Sequence, residues 1–142
     1  MWQAAQNRNQ FDDTDGLAYL RSEFQRRTGL DALTADIGVD FYLKFMALQR
    51  TPFTVFVPSE LIDAVWHIHL EDPEGYERFC IDHVGRRISH TPGGTPDQLA
   101  AGWENTVNGF VQNYGINLEE TRFGNADQNG TPCRSFVAGD CF

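Results

Sequence analysis

Apolar residues in this chain recur at intervals of three and four, and nowhere do they alternate with polar ones over more than a few positions. That spacing lines them up along one side of an α-helix and leaves a sheet nothing to build from. Leu17, Leu20 and Phe24 mark a first helix, from Asp13 or Thr14 to a stop at Gly29. Ile37, Phe41, Phe45 and Leu48 mark a second, from Thr34 or Asp36 to Gln49, with Pro52 beyond its end. Phe53, Val55 and Val57 alternate with Thr54 and Phe56 only long enough for an extended connector.

Pro58 and Ser59 open a third helix, with Ser59 as cap or first turn and Glu60 near the positive end of the macrodipole. Ile62, Val65, Trp66 and His69 share one of its faces. Asp72-Pro73-Glu74 restarts the chain as a fourth helix, Asp72 capping and Pro73 in the first helical position. Tyr76, Phe79, Cys80, His83 and Val84 carry its buried stripe and Gly85 ends it, so the third and fourth helices form an αα-hairpin. After a Pro/Gly loop, a fifth runs from Asp97 to Tyr114-Gly115, with Leu99, Trp103, Val107, Phe110, Val111 and Tyr114 along one side.

The expectation is therefore an all-α compact bundle of about five helices, one domain in 142 residues. Its parts are a flexible N-terminus (1–10), a helical domain (11–118) and an irregular C-terminal segment (119–142) rich in Gly, Asn, Asp and Pro. The formal net charge of -9 repels phosphate backbones and anionic lipid, which argues against nucleic-acid and membrane partners. No run reaches the roughly 18 apolar residues of a membrane span, and the opening residues lack a signal-peptide layout, so the expected location is cytoplasmic. There, Cys80, Cys133 and Cys141 read as free thiols. A Cys133–Cys141 disulfide would need an exported protein.

All four histidines, with Cys80 and several carboxylates, fall within residues 62–90. Asp63 and His67 are four apart on the third helix and stack on one face, where they can bind one ion or each other. His67 and His69 are two apart, roughly 200° around a regular helix, and can share an ion only if the helix unwinds before Pro73. On the apolar face, His69 also reads as a core histidine satisfied by a backbone carbonyl. His83 belongs to packing or surface. His90, just past a helix end, can swing over a neighbouring helix. The candidate metal ligands are thus His67, His90, Asp63 and His69, the last as fourth ligand or behind the others. This nitrogen and oxygen set suits Zn, Fe or Mn, and its bland alternative is a polar capping network.

Other catalytic templates are missing: no P-loop, G-x-G-x-x-G, H-E-x-x-H, C-x-x-C or G-x-S-x-G occurs. A Cys80/His83 nucleophile pair is opposed by its apolar neighbours, which raise a thiol's pKa. Catalytic residues are therefore unassigned, with Tyr76 or Glu71 as candidates to assist with protons.

The series Asp63, Trp66-His67, His69, Tyr76, Cys80, Gly85 and His90 resembles the motif of the glycine-rich domain-containing protein-like family, which occurs in plants and bacteria. The resemblance extends to Phe41–Phe45 and Pro58 upstream and to Trp103 and Tyr114-Gly115 downstream, about two-thirds of the chain. It implies a domain identity, with counterparts of those motif residues in relatives, but no established reaction. His83 falls outside the motif. The plant proteins' glycine-rich region is missing, and the tail keeps only Cys133 and Cys141, fewer than bacterial relatives carry.

Two functions remain open. One is a small metal-binding protein, in its stronger form a metal-dependent enzyme, acting on a small molecule or a protein partner, with Trp66, Tyr76 and Cys80 around the ligands. The other is a non-catalytic interaction module, its histidines structural and its acidic surface docking a basic partner.

Overall fold

A computed structural model of the chain describes residues 17–90 and 94–124. Among them are five α-helices and no strand: α1 (Ala18–Thr28), α2 (Ala32–Leu48), α3 (Glu60–Leu70), α4 (Pro73–His83) and α5 (Pro96–Tyr114). Two single 3-10 turns follow, at Leu118–Glu120 and Arg122–Gly124. The all-α expectation holds. The frayed N-terminus, a start for the first helix at Asp13 or Thr14, and Cys133 and Cys141 lie outside the described residues.

The helix boundaries follow from capping chemistry. The Asp31 carboxylate accepts from Thr34 N at 2.7 Å, so α2 begins at Ala32, earlier than the apolar pattern alone suggests. Ser59 Oγ accepts from Ile62 N to open α3, and Asp72 Oδ1 accepts from Gly75 N with Pro73 following to open α4. Thr95 and Gln98 form a reciprocal capping box that starts α5 at Pro96. α1 ends on Gly29, whose φ of 76° is the left-handed conformation that glycine adopts freely.

Helix α2 is the axis of the bundle and packs against α1, α3 and α5. Its buried residues Ala35, Val39, Phe41, Tyr42, Leu43, Phe45, Met46 and Leu48 cover most of its circumference. The four-residue series from the sequence caught only part of this, and Ile37, its first member, is 39% exposed. Phe45 meets the Trp66 ring edge-on at 5.4 Å, and Phe41 meets Phe110 and Phe123 in the same manner. Packing thus continues past residue 118, with Leu118 and Phe123 both buried.

The expected connector docks along α5. Val57 N donates to Gly102 O, Thr106 Oγ1 donates to Val57 O, and Asn105 Nδ2 donates to Val55 O. Where the connector and Leu48 dock, α5 presents small residues, Gly102, Thr106 and Gly109, which let Val57 and Leu48 approach the helix backbone, while Leu99 and Phe110 are buried on α5 as expected. Val111, expected on that face, is exposed, as is His83, expected on the stripe of α4. In both helices the apolar count overstates the width of the buried face.

Candidate metal centre

Helix α3 runs unbroken to Leu70, so its two kinds of histidine point in different directions. Asp63 and His67, one turn apart, share a face, and Asp63 Oδ2 lies 3.3 Å from His67 Nε2. His90 arrives from outside the helix. After α4 the chain turns at Gly85, Arg86 anchors it by donating to Gln49 O at 2.9 Å, and Ile88 buries its side chain. His90 then lies flat over Trp66, ring centroids 4.0 Å apart, with Nε2 2.7 Å from Asp63 Oδ1.

Asp63, His67 and His90 together offer three ligand atoms, all within 4.8 Å of one another. Both imidazoles aim Nε2 at the same carboxylate, and their rings stand 5.1 Å apart. Asp63 is 2% exposed and the His90 side chain is fully buried, whereas 26% of the His67 side chain reaches solvent. His67 is therefore the open side of the group. Burial, helped by the neighbouring His90, lowers the His67 pKa below its ordinary value against the opposing pull of Asp63. A neutral imidazole is the form that binds a metal. The group could hold an ion of the class that takes nitrogen and oxygen ligands.

His69, the fourth candidate from the sequence, stands apart from this group. With no unwinding before Pro73, it faces the core, where Nδ1 lies 2.7 Å from the Tyr42 hydroxyl and the Tyr76 and Phe79 rings meet it edge-on. It is a core histidine, but its partner is a phenol rather than a backbone carbonyl. Burial lowers its pKa to about 4. Tyr42 belongs to α2, 27 residues back along the chain, and no local signal in the sequence pairs the two. His83 lies against the far edge of this cluster, its ring on Phe79.

Trp66, Tyr76 and Cys80 are all buried behind the group. The Tyr76 hydroxyl donates to Ile88 O at 2.6 Å and accepts from Trp66 Nε1 at 3.0 Å, and burial pushes its pKa well up. It is unsuited to moving protons. Glu71 fares no better in that role: Arg27 holds it in a two-point ion pair at 2.7 and 2.8 Å and lowers its pKa. Cys80 is buried while His83 is exposed, which leaves the pair without the partly open, electropositive setting of a reactive thiol.

Comparison of the chain with protein-family models, with curated proteins and with solved structures found no match.

Proposed function

We propose that Asp63, His67 and His90 hold one divalent transition-metal ion, Zn, Fe or Mn, in a small metal-binding helical protein. The observation that carries this reading is the convergence of two imidazole nitrogens on one buried carboxylate, from a helix and from a separate segment. Bond lengths near 2.1 Å put neighbouring ligand atoms on an ion roughly 3 to 3.5 Å apart, so little movement is needed. Three protein ligands leave further positions on the ion, which would act as a Lewis acid or activate water or dioxygen for a small molecule arriving beside His67. An enzymatic role is the stronger form of the proposal and metal binding its minimal form.

A cytoplasmic location belongs to the same reading; among the described residues no helix is long and apolar enough to cross a membrane. Kinship with the glycine-rich domain-containing protein-like family is likewise proposed, on the motif from Asp63 to His90 alone.

One observation favours the rival reading, an interaction module with structural histidines. The 2.7 Å contact between His90 and Asp63 is already a good hydrogen bond and closes the network without an ion. Metal content of protein purified without a histidine tag decides between them. Near-stoichiometric Zn, Fe or Mn should survive dialysis, and His67→Ala should lose it while keeping its helical circular dichroism. Substoichiometric metal after reconstitution with each ion would overturn the metal reading.

A further inference from the structure

His90 is the only member of the candidate centre that no helix holds. A side chain on such a segment must be ordered by contacts, against the conformational entropy of the backbone that carries it. Two sets of contacts do this, and both lead to one atom. The peptide two residues before His90 is pinned where Ile88 O accepts from the Tyr76 hydroxyl at 2.6 Å. The imidazole rests on the Trp66 indole, with planes 20° from parallel. That indole is itself oriented, because its Nε1–H donates to the same Tyr76 oxygen at 3.0 Å. The phenol thus ties the platform under the ring to the backbone that carries the ring.

The hub is fully buried, and the Cys80 thiol adjoins the same hydroxyl. In such a place a hydrogen bond keeps its strength and a lost partner is not replaced by water. The hydrogen bonds of this hydroxyl go to Ile88 and Trp66, the two groups that hold His90 in place.

We propose that Tyr76 is the positioning residue of the centre: its hydroxyl holds Trp66 and Ile88 together and thereby aims His90 Nε2 at Asp63. The consequence for metal affinity rests on the metal-binding reading above; the aiming of His90 does not.

The test uses the full chain and Tyr76→Phe, which keeps the ring and removes only the hydroxyl. Trp66→Phe removes the indole donor and carries the test if Tyr76→Phe does not fold. Phe110→Leu, a core truncation on α5, controls for general loss of stability. In metal-free protein, side-chain NMR should show a slowly exchanging, downfield proton between His90 and Asp63. That proton should persist in Phe110→Leu and be lost to exchange in Tyr76→Phe. Zn²⁺ affinity, read by competition with a chromophoric chelator, should fall roughly 10- to 100-fold in Tyr76→Phe, the usual loss when a ligand's orienting partner is removed. It should stay unchanged in Phe110→Leu.

Retention of both the proton and the affinity in Tyr76→Phe would overturn the proposal, and so would an equal loss in Phe110→Leu. Should the wild type bind no Zn²⁺, the metal reading fails and the proton still decides the role of Tyr76.

Discussion

The Tyr42 hydroxyl and His69 Nδ1 meet at 2.7 Å inside the core, joining α2 to the face of α3 that lies away from the candidate centre. With Tyr42 donating, neutral His69 carries its proton on Nε2, and burial holds the folded pKa at about 4, below the ordinary 6.5. The unfolded chain therefore takes up a proton first as pH falls. Stability is lost between pH 6.5 and 4, and this residue adds no further loss below that window. The depression amounts to roughly 3 kcal/mol. Urea unfolding of wild type and His69→Gln at a series of pH values checks this: the difference between the two curves should slope in that window, and a parallel pair would refute it.

Trp66 fills the space between α2, α4 and the incoming His90, and it is almost wholly buried. Trp66→Ala should destabilise the protein by about 3–5 kcal/mol as a cavity mutation, whether or not the centre binds metal. A denaturant titration showing less than about 1 kcal/mol would contradict this packing.

Gly102 and Gly109 predict a contrast on α5. A methyl group at Gly102 would sit 2.5 Å from a methyl of Val57, a β-branched side chain on a segment anchored by three hydrogen bonds, and neither can retreat. Gly102→Ala should cost about 1–3 kcal/mol despite the better helix propensity of alanine. At Gly109 the obstacle is the far end of Leu48, at 2.9 Å, which can rotate aside. Gly109→Ala should lose clearly less when both variants are compared by thermal melts, and the reverse order would show that the connector yields more easily than a leucine.

How far the sequence speaks depends on how local the causes are. Ser59, Asp72-Pro73 and Gly115 act on their own helix ends, and those ends were readable. So was the division of α3 into two faces, since Asp63 and His67 are phased by helix geometry alone. The side of α2 facing each neighbour was not readable, because a helix buried almost all round has no contrasting polar stripe to orient it. The contact face of α5 was readable only in part: Leu99 and Phe110 mark it, but Gly102, Thr106 and Gly109, between them, carry no apolar signal. Tyr42 escaped notice because the partner that gives it a role lies 27 residues away.

Ligand linkage separates the histidines experimentally. If Asp63, His67 and His90 hold an ion as proposed, a strong chelator should lower the melting temperature of wild type and of His83→Gln alike, since binding stabilises the native state by mass action, about 2.7 kcal/mol at a hundredfold excess over the dissociation constant. His67→Ala and His90→Ala should melt at the same temperature with and without chelator. If His83→Gln became insensitive while His90→Ala still responded, the ligand set would be wrong.

Asp63 and His90 are 27 residues apart, and every side chain of the centre comes from the hairpin of α3 and α4 or the segment directly after it. Closing a loop of that size is entropically mild, because the penalty grows only with the logarithm of length. Neither α1 nor α5 has to be in place before the three groups can meet. On the metal-binding proposal, an ion added to unfolded chain would find its ligands before α1 and α5 had docked, and would act on the folding barrier itself. The kinetic signature is an ion that speeds refolding, beyond merely slowing unfolding.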